Sequence, residues 1–519
     1  MIIHNYDCLI VGGGLSAHLA ASEIVKSGGR VALLSDGSGA SPYIHGVNIP
    51  LHEKDSPALF LADTLEGGYH QSNRALAKAL CYGALGAKET IESLDLSFNR
   101  AKDGSVELLQ PLGASVPRVV SVGNALGAHA VKKLKDRLAG KVDFVRGRAV
   151  RAVCEGGVFG VLCFEDGQPV VYTARALLLA TGGFGRLWGF NTNSPDIGGD
   201  GIAIAESLGA PLVDMEFVQF EPSVAVSPAA LKGKSVITTM FYEGAVLKNA
   251  LGERFMLRYS EKGERVQKDI LAKAISEEIA SGRGTPNGGV WYDCTALGKD
   301  LLEESYSAYY QRYLACGIDI SKEPIEIAAG AHTTLGGVEI DEKCRTAVDG
   351  LFACGEIVGG VHGANRLGGN AGLETLVFGK IAGESVRKYL EENPPRDSRG
   401  AAERAAALLS GKRCERADVA PLKEKLGKIM TGHLGVIRSG ESCARALEEI
   451  EALRAELPDS EDEAVLRLQN DLTTARAVAL ACGERRGSVG CHFRTDGIDE
   501  KEKYFIRVQK GAVRRISHE

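Results

Sequence analysis

An apolar stretch at residues 6–11 runs straight into Gly12-x-Gly14-x-x-Ala17, and an Ala-rich helical pattern follows to about Ser27. No other feature limits the fold of this chain so tightly. Strand, glycine turn and helix in that order open a parallel α/β unit. Gly12 permits the turn, Gly14 lets backbone approach a pyrophosphate, and the helix N-terminus offers that anion unpaired N–H groups. Ala17 stands where a third glycine is usual. The pattern alone also occurs in strand–helix turns that hold no nucleotide. The next strand, 30–34, ends at Ser35 and Asp36, where a ribose-binding acid is expected; both can bond a hydroxyl, but neither is the usual Glu.

Two further apolar strands end in the same way. Residues 175–180 lead to Thr181-Gly182-Gly183, and 351–354 lead to Gly355-Glu356. Near-continuous apolar strands of this kind belong to a parallel sheet covered on both faces. Glycine makes up 64 of the 519 residues, well above the usual share of roughly 7%, and it clusters at these strand ends. Between about 221 and 331 the pattern changes to helical stretches at 266–281 and 301–315. From about 397 onward Ala, Glu, Lys and Arg recur with helical spacing, as at 441–457, before a strand-like 504–508. The domains expected are 1–220 and 332–396 for a Rossmann-like α/β domain built on a parallel sheet, 221–331 for an inserted α+β capping domain, and 397–519 for a C-terminal helical domain. A chain of this length is too long for one core.

Composition excludes several classes. A net charge of −6 gives no general attraction to nucleic acid, and the basic end (Lys510, Arg514, Arg515) reads as a solvated tail. No apolar run approaches the ~18 residues of a membrane span, and no leader pattern precedes the first strand. Twelve cysteines are scattered without a Cys-x-x-Cys pair, so no metal or iron–sulfur site is expected within the chain. Free thiols and a cytoplasmic location are the simplest account.

The densest chemistry lies between Gly350 and Gly383, with His362-Gly363-Ala364-Asn365-Arg366-Leu367-Gly368-Gly369-Asn370 at its centre. This run resembles the flavin-contacting segment of the succinate dehydrogenase/fumarate reductase flavoproteins and of L-aspartate oxidase. Further blocks follow in family order: Thr181-Gly182-Gly183, Gly199-Asp200-Gly201, Asp214-Met215-Glu216-Phe217 with Gln219-Phe220, Gly252-Glu253-Arg254-Phe255-Met256, His332-Thr333-Thr334-Leu335-Gly336-Gly337, and Gly490-Cys491-His492-Phe493-Arg494-Thr495-Asp496.

The resemblance implies FAD. Its pyrophosphate would lie at Gly12, Gly14, Ser16 and Ala17, with Ser35, Asp36, Ala149, Val150, Thr181, Gly182 and Asp200 completing the cofactor set. Glu356 would meet a ribitol or ribose hydroxyl, and Asn370 and Ala371 would lie beside the isoalloxazine. Where membrane-bound members attach FAD to a His, this chain has Ser41, and His45 is four positions away, so the flavin is expected to be non-covalent.

The resemblance also maps a substrate site. His332 and Arg366 match the carboxylate-binding His and Arg, and a planar guanidinium suits a carboxylate. Without the family, a structural ion pair and a core histidine would be the plainer reading. Other positions depart. Lys268, followed by Asp269, replaces the proton-donating Arg. Glu221 replaces a substrate-binding His. Ile237 and Thr238 replace a Thr-Glu pair, and Leu112 replaces a Glu associated with aspartate's amino group. Lys268 keeps the charge and loses the fork, and Glu221 sets a negative charge where a second carboxylate would sit.

The function expected is an FAD-dependent oxidoreductase transferring a hydride between flavin and a small carboxylate substrate. L-aspartate oxidase is the runner-up. A flavoprotein subunit serving an iron–sulfur or other electron-transfer partner, and a flavin-binding protein whose Glu221 and Lys268 merely pair, are the other readings.

Overall fold

A computed structural model describes residues 2–409, 417–500 and 502–517. Five parallel strands form the heart of the first sheet. Asp143–Arg146, Val31–Ser35, Ile2–Val11 and Gln168–Leu179 lie side by side, and Leu351–Ala353 pairs with the last three residues of Gln168–Leu179. The sheet is mixed rather than wholly parallel. Arg148–Glu155 and Val158–Glu165 join it as an antiparallel meander on the first half of Gln168–Leu179. The strand Val158–Glu165 is buried on both faces because the helix Arg399–Ala406 covers one of them. Both Ile2–Val11 and Gln168–Leu179 extend further toward their N-termini than their apolar cores alone indicate.

The helix Leu15–Ile24 follows the first glycine turn and packs against the long helix Asn370–Glu392. Close approach explains the small residues there. A Cβ on Gly379 would lie 2.9 Å from the Ser16 backbone, and one on Gly383 would lie 2.6 Å from the Ala20 carbonyl. This crossing brings the N-terminus of Asn370–Glu392 beside the first turn.

A second apolar core, including Met240, Phe255, Leu271, Ile275 and Tyr292, belongs to the inserted region. Its antiparallel sheet runs Val218–Ala225, Ile325–Thr334, Val290–Asp293, Val246–Lys248. The first two of these strands carry Glu221 and His332, and the helix Lys268–Glu278 packs on Val218–Ala225. The helical stretch expected at 301–315 divides at Tyr306 into Gly298–Ser305 and Ser307–Leu314.

The C-terminal region holds the helices Ala420–His433, Gly440–Ala455 and Glu463–Glu484. It is not purely helical: the hairpin Tyr504–Gln509 and Ala512–Ser517 joins Leu212–Val213 in a four-stranded sheet. Buried Arg485 ties the region down through Glu216 at 2.5 Å and Asp214 at 3.4 Å. The nearby Cys491 N–H donates to the Ala364 carbonyl at 2.9 Å, which buttresses the segment leading to Arg366.

Candidate active site

A cleft of about 1000 Å³ opens over the C-terminal ends of the parallel strands, where ligands of open α/β sheets bind. Gly12, Gly14 and Ser16 line one side of it. The helix behind them begins at Gly14 without a side-chain cap, and the Leu15 N–H donates to Ser41 Oγ at 2.8 Å. Ala17 is buried beneath the turn and packs in the core. Ser35, Asp36, Thr181, Gly182, Glu356 and Ala371 line it as well.

The structure separates two neighbouring pairs. Ala149 faces the cleft, whereas Val150 points the other way into a core with Leu162, Phe164 and Val171. Ala371 lines the cleft, whereas Asn370 is buried beside it, its side chain bonded to Asn48 at 2.7 Å and to Thr64 at 3.3 Å. Alternation along a strand and along the first turn of a helix accounts for both. Asp200 lines the cleft through an arginine that the sequence did not single out: Arg148 bonds Asp36 and Asp200, each at 3.3 Å.

The surroundings fit a dinucleotide. A glycine-lined turn, a helix start whose N-cap is a glycine, and acidic groups at the strand ends supply what a pyrophosphate and ribose hydroxyls require.

Glu356 links this cleft to the cluster that holds Glu221, Lys268, His332 and Arg366. Its carboxylate accepts the Thr334 N–H at 3.0 Å, and burial raises its pKa to about 7, with the Thr334 bond working against the rise. A folded-state pKa above the unfolded one gives stability that is complete below the unfolded value of 4.5 and lost as pH rises through about 7. The shift corresponds to about 3 kcal/mol. Glu356→Gln, which mimics the protonated acid, should therefore raise the melting temperature of flavin-free protein at pH 8 and leave it unchanged near pH 4. Equal melting temperatures at pH 8 would contradict this.

Beyond Glu356 lie the four predicted substrate residues, gathered from three elements and one loop. Lys268, the first residue of its helix, donates to the Glu221 carboxylate. His332 Nε2 stands 3.9 Å from Glu221, and His332 Nδ1 bonds Thr192 Oγ1 at 2.7 Å. His332 keeps about a third of its side chain open while enclosed by protein, as a residue lining an internal cleft does. Burial drives its pKa down to about 3, with Glu221 pulling the other way, so the ring is neutral at physiological pH. Burial also pushes Glu221 upward, but the ammonium of Lys268 and the other neighbouring positive groups outweigh it and hold Glu221 below its ordinary value.

Arg366 is buried, and burial lowers its pKa. Its Nη2 donates to Gln219 Oε1 at 2.8 Å and its Nη1 to the Leu367 carbonyl at 3.3 Å, while its Nε has no acceptor. Gln219 is fixed in turn, donating to Asn365 Oδ1 at 2.8 Å and to the Arg366 carbonyl at 2.9 Å. The arginine is thus aimed by a buried amide and retains an unused donor. Thr192, Gln219 and Asn365 complete the cluster. Gln219 and Asn365 stood inside recognisable motifs, whereas nothing in the sequence marked Thr192.

Among the described residues no group of His, Cys, Asp and Glu is arranged to hold a metal ion, and no helix is long and apolar enough to cross a membrane.

Comparison with known proteins identifies the family. The FAD binding domain family matches residues 7–371, and the fumarate reductase flavoprotein C-terminal family matches residues 423–512. One subunit of the fumarate reductase (CoM/CoB) of Methanothermobacter marburgensis is 33% identical, over 95% of both chains. L-aspartate oxidase of Streptomyces coelicolor is 31% identical over 96% of this chain and 90% of its own. FrdA of E. coli quinol fumarate reductase superposes with a TM-score of 0.91 at 25% identity, covering all of this chain and 97% of the other. The chain therefore belongs to the succinate dehydrogenase/fumarate reductase flavoprotein and L-aspartate oxidase family, and it is an FAD-dependent oxidoreductase of that type.

Proposed function

We propose that this enzyme transfers a hydride between FAD and a small carboxylate substrate held by Arg366 and His332, with Lys268 exchanging the accompanying proton. The observation that carries the reading is Arg366: buried, oriented by Gln219, without an acceptor for its Nε, and near enough to Glu356 of the cofactor cleft to act on its charge. Bound FAD supplies the two-electron chemistry. The chain's own residues bind and orient. Arg366 neutralises the carboxylate, and neutral His332 adds a hydrogen bond. Lys268 is one-fifth exposed and bonded to Glu221, so it can hold a proton near the substrate carbon and be recharged through that carboxylate. Their pairing is compatible with catalysis, because an ammonium has three donors.

Mixing the flavin-loaded protein anaerobically with a panel of saturated acids, and the dithionite-reduced protein with unsaturated ones, tests this directly. Bleaching or reoxidation by at least one acid is expected. Silence toward all of them favours a flavin-binding protein without catalysis.

The flavin is held without a covalent bond in this reading. Ser41 has no imidazole, its hydroxyl is engaged by the Leu15 N–H, and the exposed His45 ring bonds the Asn124 carbonyl at 2.7 Å. Acid precipitation should leave all the flavin in the supernatant. A yellow pellet would contradict it.

L-aspartate oxidase activity is the second reading, favoured by the similarity to the Streptomyces enzyme along 96% of the chain. Against it, half-buried Leu112 offers no group for an ammonium. Hydrogen peroxide released with L-aspartate would establish it. The Methanothermobacter relative is one chain of a larger reductase, which favours an electron-transfer partner, iron–sulfur or other; co-purification would identify one. A cytoplasmic location accords with the eleven described cysteines, all of them free thiols.

A further inference from the structure

The charges of the substrate cluster bear on which acids it accepts, given the reading of Arg366 as the carboxylate anchor. Glu221 and Lys268 bond each other, so their charges cancel locally. His332 contributes a neutral ring, and Arg366, which feels Glu221 and Glu356, bonds a neutral amide rather than a carboxylate. Among the described residues, the ion-pair partners of Glu221 are Lys268 and His332. Other acids nearby add only negative charge when ionised: Asp269, bonded to Tyr69 at 2.5 Å, and Glu356.

The wall around Glu221 is equally uninviting to a second anion. Ser223 Oγ reaches Glu221 at 3.5 Å but donates to the Val236 carbonyl at 2.7 Å. The adjoining Ile237 packs its side chain against the inserted domain's apolar core, and its carbonyl is taken by the Tyr292 hydroxyl at 3.0 Å. A dicarboxylate seated on Arg366 would bring its far carboxylate toward Glu221, whose nearest cation, Lys268, is already bonded to it. A methyl group in the same place carries no charge for Glu221 to oppose.

We propose that this cleft selects substrates with one carboxylate, bound at Arg366 and His332, and an uncharged remainder, and that Glu221 is the residue that rejects a second carboxylate. Matched acids test this by equilibrium binding: butyrate against succinate and crotonate against fumarate, each pair differing by methyl in place of carboxylate. Perturbation of the oxidised flavin spectrum gives the Kd. Like charges in a poorly solvated site repel strongly, so the monocarboxylate should bind at least about tenfold more tightly in each pair. Glu221→Gln frees Lys268, and Glu221→His restores the imidazole of the family pattern at this position. Both should improve succinate binding by about tenfold while changing butyrate little. If either variant loses flavin or melts early, the other variant and the wild-type pairs still decide.

Equal affinity for succinate and butyrate in the wild-type protein, or an unchanged preference in folded Glu221 variants, would overturn the selectivity while leaving the carboxylate site intact. Failure of all four acids to perturb the flavin would overturn both it and the anchor role of Arg366.

Discussion

Replacing Arg366 with Met should lower kcat/KM for the best carboxylate substrate by about a thousandfold, with flavin content unchanged. Truncating one partner of a buried, hydrogen-bonded charge pair costs about 2–5 kcal/mol or more, and about 4 kcal/mol is a factor of roughly a thousand. The folded protein should tolerate the change. In the absence of an anion the guanidinium is a desolvated cation with an unsatisfied Nε, so removing it relieves a penalty and costs mainly the bonds to Gln219 and the Leu367 carbonyl. Arg366→Lys separates charge from shape. It keeps the cation and loses the fork, and it should recover only part of the lost activity. The measurement is steady-state turnover beside the flavin-to-protein absorbance ratio and the melting temperature. Full activity in the Met variant would remove Arg366 from the substrate site. Loss of flavin in both variants would instead make it a structural residue.

How much of this site is legible in the sequence depends on the kind of constraint each residue obeys. Backbone constraints leave a local trace. Gly12 and Gly14 between a strand and a helix, and Glu356 after a third strand, follow from geometry within a few residues, and all three line the cleft. Partnerships across the fold leave none. Arg148 joins Asp36 and Asp200 through a bridge 112 residues long on one side and 52 on the other, and no spacing rule singles it out. Lys268 and Glu221 were each visible as departures from a family pattern, but their contact requires the capping helix to pack on the strand that carries Glu221. The meander from Arg148 to Leu179 escaped for a related reason. The strand Val158–Glu165 lacks the alternation of a half-buried strand because a helix more than 230 residues later covers its second face. Tyr306 ends one helix and begins another without a proline or glycine to announce the break.

The second large effect is expected at Gly12, where Ala should abolish flavin binding or prevent folding. Two separate penalties meet there. The backbone φ of +128° lies in a region that side-chain-bearing residues rarely enter. In addition, a Cβ would lie 2.0 Å from the Ala180 carbonyl oxygen and 2.5 Å from its carbon. Neither side can yield easily. The Gly12 N–H donates to the Leu34 carbonyl at 2.9 Å, and the Ala180 N–H donates to the Val11 carbonyl at 2.8 Å, so the turn is tied to the strands on both sides of it. Making room means prising apart the strand ends that form the floor of the cleft, at a cost of several kcal/mol. Gly28→Ala isolates the conformational part. Gly28 has φ +76° with nothing within 4 Å of the added carbon, so the substitution should cost about 1 kcal/mol and leave flavin binding intact. If Gly12→Ala protein binds FAD as tightly as wild type and melts no lower than the Gly28→Ala control, then close packing of the first turn against Ala180 does not hold the cofactor cleft together.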